Sequence, residues 1–221
     1  MLRKALLAVS ALVFTLTAGA DDNKSPAKLV DKANQTLQEF LADQNMDWLR
    51  DNLGDAKGLM IVPAMVTAGF VIAGTGGDAV LLARNEKTGK WSDPAFYKVG
   101  GFSVGVQAGG KVAQVLIMVR TERALQSLMS TTGKFGASGS IAAGPVGGGA
   151  ASNIRSDMLS FARTKGAFAG ISLDGNVVEV YPEYNKEYYG RDVTPSEILF
   201  DQSVSNPLSG DLIDNLSKAT K

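Results

Sequence analysis

The sequence predicts an α+β fold: an N-terminal helix, a large sheet with one helix inserted among its strands, and helices at the C-terminal end. Three observations carry this. Apolar residues recur at helical spacing near the start, at Leu29, Val30, Ala33, Leu37, Phe40 and Leu41. Short apolar runs separated by glycines fill Lys57 to Gly110, the pattern of strands and turns. Towards the end come a capping box, Thr194-Pro195-Ser196-Glu197, and a last amphipathic stripe at Leu208, Leu212, Ile213 and Leu216.

In chain order, Arg3 and Lys4 precede an apolar stretch from Ala5 to Thr17 and the small-residue site Ala18-Gly19-Ala20. That is the layout of a secretory signal peptide over residues 1–20. The expectation is an exported chain, periplasmic or secreted, cleaved near Ala20 and folded as one domain over 21–221; an uncleaved anchor is the alternative. The stretch is too short for a resident membrane helix.

Ser25-Pro26 opens the first helix, serine as N-cap and proline at the first helical position. Its apolar stripe reads as core packing or as a membrane-surface helix, although its polar face mixes acids with lysines rather than being basic. A shorter helix runs from about Met46 to Leu53 and stops at Gly54. Beyond Gly58, the runs Leu59–Val62, Phe70–Ala73, Ala79–Ala83 and Phe102–Ala108 read as strands, with glycines as the turns between them. From Val112 to Val119 the chain is almost wholly apolar, as for a strand covered on both faces. Thr121 caps a helix from Glu122 to Ser130. The glycine-rich stretch Gly133–Ala150 reads as a mobile loop or as a backbone-lined ligand cradle. Strands follow at Met158–Arg163, Ala167–Leu173 and Val177–Tyr181, the last two joined by the hairpin signal Asp174-Gly175-Asn176.

Composition narrows the chemistry. The 221 residues contain no histidine and no cysteine. Ser-His-Asp and thiolate catalysis, cysteine-type zinc and disulfides are therefore excluded, and the commonest metal ligand is missing. Without Arg3 and Lys4, 20 basic residues face 22 acidic ones. No basic excess remains to hold nucleic acid. No cofactor and no metal site are expected, and the chain does not read as an enzyme.

Several motifs resemble catalytic ones without their context. Gly74-Thr75-Gly76-Gly77-Asp78-Ala79 fits G-x-G-x-x-A, but a strand-like run and a turn follow it where a dinucleotide site needs a helix. Ser25-x-x-Lys28 and Lys87-Thr88-Gly89 echo acyl-transferase motifs, yet the chain between them is too short to hold that domain. A carboxylate hydrolase would need a marked pair among Asp93, Asp157, Asp174, Glu179, Glu183 and Glu187, and nothing marks one. Two aromatic clusters stand beside cations: Trp91, Phe96 and Tyr97 with Lys98, and Tyr181, Tyr184, Tyr188 and Tyr189 with Lys186 and Arg191. Such groupings suit a lipid interface or cap the ends of a sheet; both readings stand.

A set of motifs in order, Ala56-Lys57-Gly58-Leu59-Met60-Ile61-Val62-Pro63, Ala68-Gly69-Phe70, Gly74-Thr75-Gly76-Gly77, Trp91-Ser92-Asp93-Pro94-Ala95-Phe96-Tyr97 and Gly105-Val106-Gln107-Ala108-Gly109, resembles the SYLF domain, also called the Ysc84 domain. Gly144-Pro145-Val146-Gly147, Lys165 to Gly175, and Asn185 with Tyr188-Tyr189-Gly190 extend the resemblance over about Val30 to Phe200. It implies a large, mainly antiparallel, strongly curved sheet and lipid binding; some members bind phosphoinositides or actin. The function expected is an exported, non-catalytic protein that binds phospholipid or the membrane surface of the cell envelope. An envelope interaction module holding a protein partner is the alternative, and a carboxylate hydrolase the third reading. Actin is not expected as a partner of an exported chain. The candidate lipid contacts are Leu37, Phe40, Lys57, Arg84, Trp91, Phe96, Tyr97 and Lys98.

Overall fold

The computed structural model describes residues 25–69, 72–104, 109–130, 132–137, 139–147, 155–164, 167–168, 173 and 175–221. The leader expected at 1–20 lies outside them.

Helix α1 (Pro26–Ala42) starts as the sequence requires. The Ser25 side chain accepts from the Lys28 amide at 3.3 Å, and Pro26 occupies the first turn. Its stripe, Val30, Ala33, Leu37 and Phe40, is buried to 1% exposure or less, so the helix packs on the sheet. Helix α2 (Asp47–Asn52) follows, and a 3-10 turn over Leu53–Asp55 leads into the sheet.

Four long strands make the body of the sheet: β1 (Gly58–Gly69), β2 (Ile72–Ala83), β3 (Ala95–Val104) and β4 (Gly109–Val119). Helix α3 (Glu122–Leu128) is capped by Thr121. Short strands β5 (Thr132–Lys134) and β6 (Ile141–Ala143), then β7 (Met158–Thr164), β8 (Ala167–Phe168) and β9 (Val177–Val180), complete the sheet. The order is β5-β9-β3-β2-β1-β4-β7-β6, with β8 paired to β7; every pairing is antiparallel except β6 with β7. The sheet is curled into a half-barrel. Helices α4 (Pro182–Tyr189), α5 (Pro195–Leu199, with the full capping box) and α6 (Gly210–Ala219) end the chain.

Between Gly58 and Val119 the strands are fewer and longer than the glycines suggest. Leu59–Val62 is only the first third of β1, which continues through Pro63 by a one-residue register shift before Met65. Gly74, Gly76 and Gly77 lie inside β2, and Ala95 to Gly101, where no strand is expected, belongs to strand β3. None of these glycines has a positive φ. Glycine is compatible with extended backbone, and ladder hydrogen bonds from both neighbours hold it there. Gly133–Ala150 is not one loop, since it contains most of β5 and all of β6; residues 138 and 148–150 lie outside the described set. The hairpin expected at Asp174-Gly175-Asn176 does not join β8 to β9. Gly175 does turn, with φ +83°, but β9 pairs with β3 and β5 while β8 pairs with β7; Asp174 itself is not described.

Two cores sandwich the sheet. Leu59, Ile61, Val80, Leu82, Phe96, Leu116, Met118 and Phe161 face helices α1, α2, α4 and α6. Met60, Val62, Leu81, Tyr97, Val115 and Ile117 face the other way, towards α3, α5, Phe135 and Leu173. Asp157, at the start of β7, ties this second layer together. Its carboxylate accepts from Thr121 Oγ1 (2.9 Å), Ser140 N (3.0 Å) and Ser140 Oγ (2.9 Å), and pairs with Arg123 (3.0 Å). Those donors, the Ser140 amide first, hold its pKa far below the ordinary carboxylate range.

Candidate functional site

The long strands outrun the helices. Along the helix-bearing face, burial ends where the sheet goes on, and β1 changes from fully buried residues at Gly58–Val62 to half-buried and exposed ones, with Met65 alone still buried, on the opposite face. Residues directly opposite each other in antiparallel strands share a face, so the register shows what the extension displays. One row crosses the sheet as Lys134, Val177, Gly100, Gly76, Val66 and Val112. The next row outward is Phe102, Gly74, Ala68 and Gly110. The row inward is Thr132, Glu179, Lys98 and Asp78.

The shift at Pro63-Ala64 decides this face. An extra residue in one strand inverts the alternation beyond it, which places Val66 and Ala68 on the same side as Ile61. The outcome is a groove of about 870 Å³, floored by glycine backbone and walled by Val66, Val177 and Phe102, with Lys98, Lys134 and Glu179 at its rim. Phe102 is 86% exposed, Val112 52% and Val66 48%. Isolated exposed apolar residues are ordinary; a row of them beside a glycine floor is not.

The floor glycines have room. A Cβ on Gly74 would meet nothing within 4 Å, and on Gly76 or Gly100 only a backbone oxygen, at 3.6 and 3.5 Å. Their neighbours on the other face do not. A Cβ on Gly77 would stand 2.5 Å from the Ala64 carbonyl, and one on Gly101 would collide with Asn176. So Gly77 and Gly101 are glycine because the fold is tight there. Gly74, Gly76 and Gly100 are under no such constraint, and what their missing side chains leave is the groove itself.

Only one of the eight sequence-derived contacts reaches this groove. Lys98 is exposed on its rim, its ammonium 3.7 Å from the centre of the Tyr181 ring, which in turn stacks on Tyr184 at 4.0 Å. Leu37 and Phe40 lie in the α1 core. Phe96 is enclosed by Tyr184 and Tyr188, and its amide donates to Asn185 Oδ1 at 3.0 Å. Trp91 is 5% exposed and donates to Thr220 Oγ1 at 3.2 Å. Tyr97 points into the opposite core with no partner for its hydroxyl, and burial raises its pKa strongly. In this conformation these five residues present no surface. Lys57 and Arg84 meet at the other end of the strands in a polar cleft of about 510 Å³. There Lys57 pairs with Glu86 at 2.5 Å, while Arg84 donates to the carbonyls of Gly54 and Gly89.

Aromatics beside a cation suggest an interface, but strand alternation sends Phe96 and Tyr97 into the two cores instead. Of the residues that line the groove, Lys98 alone stood among the candidate contacts. A signal for the others was present, since Gly74/Gly76 and Gly100/Phe102 are spaced by two and therefore share a strand face. Among the described residues no cluster of acidic side chains could hold a metal, and no helix is long and apolar enough to cross a membrane.

Comparison with known proteins follows the fold. A family model described as Las17-binding protein actin regulator, Ysc84, matches residues 100–219. An SH3 domain-containing protein of Schizosaccharomyces pombe is 36% identical over 168 residues, 72% of this chain and 38% of that protein. LAS seventeen-binding protein 3 of Saccharomyces cerevisiae is 30% identical over 185 residues, 80% of this chain and 39% of its own length. The human SH3 domain-containing YSC84-like protein 1 is 27% identical over 205 residues, 90% of this chain and 59% of that protein. The chain thus spans about two fifths to three fifths of these relatives. The family description and the S. cerevisiae name are those of binding or regulatory proteins. One expectation is overturned: actin was set aside as a partner, yet the matching family is described as actin regulators and a yeast relative as binding Las17.

Proposed function

The chain belongs to the Ysc84 family, and we propose that it is an exported, non-catalytic member that binds phospholipid at a membrane surface of the cell envelope, with the groove as its contact. The observation that carries this is the glycine floor with space above it. Glycine inside a strand costs roughly 0.5–1 kcal/mol relative to alanine. Three such positions in one trough, none required by φ or by a neighbour, keep open a volume that apolar chains can enter. The apolar wall and the lysines on the rim give that volume an amphiphilic character suited to a lipid. The expected leader directs the chain to the envelope.

The test is co-sedimentation of the chain lacking residues 1–20 with phospholipid vesicles, comparing wild type with Gly76→Leu and Phe102→Ser. Both variants should remain folded and lose most of their binding. Undiminished binding by both would remove the groove as the contact, and no binding by the wild type would remove the lipid reading. Mass measurement of the chain recovered from an envelope fraction tests the cleavage near Ala20.

A second reading, a protein contact of the actin-regulating kind, is favoured by the description of the family. Co-sedimentation with filamentous actin, without lipid, would support it.

A further inference from the structure

The charges at the groove's inner end say which headgroup fits, granted that the groove holds lipid as proposed above. Lys98 and Glu179, both lining the groove, are direct partners across β3 and β9, and directly opposite residues place their Cβ atoms about 4.5–5.5 Å apart. The Lys98 ammonium is drawn to the Tyr181 ring rather than closing on Glu179. Glu179 is exposed and makes no ion pair or hydrogen bond with any described residue.

A headgroup that carries only negative charge would bring it against Glu179, and like charges at that spacing repel. A headgroup with its own separated phosphate and ammonium meets the opposite situation. Its phosphate finds Lys98 and its ammonium finds Glu179, so each charge has a partner within one headgroup's reach. The apolar part has a defined direction as well. From Lys98 to Phe102 the strand covers four residues, about 13 Å at 3.3 Å per residue, all of it over the glycine floor.

We propose that the groove selects a zwitterionic phospholipid, with its headgroup on the Lys98–Glu179 pair, its acyl portion along Gly100, Gly76 and Gly74, and Phe102 at the far end. Glu179 is the specificity-determining residue, since it holds the ammonium that an anionic lipid lacks.

The experiment measures binding of wild type, Glu179→Gln and Glu179→Asp to vesicles of equal parts phosphatidylcholine and phosphatidylethanolamine, and to vesicles of phosphatidylglycerol, at about 0.1 M salt to limit non-specific attraction. Wild type should bind the zwitterionic vesicles at least as tightly as the anionic ones. Glu179→Gln should weaken zwitterionic binding about tenfold, the loss of one charge-assisted contact, while binding to phosphatidylglycerol stays level or improves; Glu179→Asp should restore most of it. Tighter binding of wild type to phosphatidylglycerol, or the same effect of Glu179→Gln on both vesicles, overturns the headgroup assignment but leaves the groove as a lipid site. Absence of binding to either vesicle fails both. Thermal melts of the variants exclude unfolding, since Glu179 is a surface position where substitutions usually change stability by under about 0.5 kcal/mol.

Discussion

The two ends of one sheet are built from the same strands and do opposite things. At the packed end, Leu59, Ile61, Val80, Leu82 and Phe96 fill the space under α1 and α4 so completely that each is 0% exposed. At the open end, the same β1, β2 and β3 carry Val66, Gly76 and Gly100, and the described helices do not reach them. β2 and β3 run through both ends in unbroken register, and β1 does so with one extra residue at Pro63-Ala64; what changes is side-chain volume and the reach of the helices. The packed end spends its residues on stability, while the open end leaves strand positions unfilled and gains a surface.

That contrast can be broken by substitution. The largest expected effect lies at the packed end. Phe40→Ala should cost about 3–5 kcal/mol in denaturant unfolding through the cavity it leaves, and with the remaining fold intact it should leave lipid binding per folded molecule unchanged. A smaller effect is expected at the clamp on β7. Asp157→Asn removes the charge from a buried carboxylate that accepts from Thr121, Ser140 and Arg123, and should cost about 1–3 kcal/mol at neutral pH. The folded-state pKa of Asp157 is lowered, so its contribution is complete above the unfolded value of about 3.9 and is lost as pH falls below it. The stability gap between wild type and Asp157→Asn should therefore shrink as pH is taken from about 5 to 3, and a gap that is flat with pH would contradict the assigned partners.

The smallest effect is the sharpest comparison, because it uses neighbouring residues. Gly77→Ala forces the Ala64 carbonyl to move and should destabilise by about 1–3 kcal/mol. Gly76→Ala, one residue away on the open face, should be neutral or stabilise by up to about 1 kcal/mol. Equal losses at both positions would show that the open-face glycines also serve the fold, and the functional argument for the groove would fail with them.

Local chemistry was legible in the sequence. The Ser25 cap with Pro26, the Thr121 cap, the Thr194–Glu197 box and the stripe of α1 all appear where the residues require them, because each depends on partners within three or four positions. The α+β class followed from the same patterns, and the antiparallel sheet from the family resemblance. Strand extents were not legible. Gly74, Gly76 and Gly100 looked like punctuation, yet strand membership is decided by neighbours far along the chain, such as the ladder joining Gly100 to Val177. Trp91, Phe96 and Tyr97 looked like an interface for a related reason: Phe96 is turned inward under α4 and Tyr97 into the opposite core by alternation in β3, while Trp91, before that strand, is buried against Thr220 at the end of the chain.

What the sequence determined by itself, then, is composition and short-range order: no histidine or cysteine chemistry, capped helices, a sheet rich in glycine. The tertiary structure decided which glycines face a wall and which face open space. That distinction turns on one inserted residue near Pro63 and on pairings tens of positions apart. Side-chain direction in a strand inverts with every single-residue shift, so no local pattern could have assigned the groove to its face.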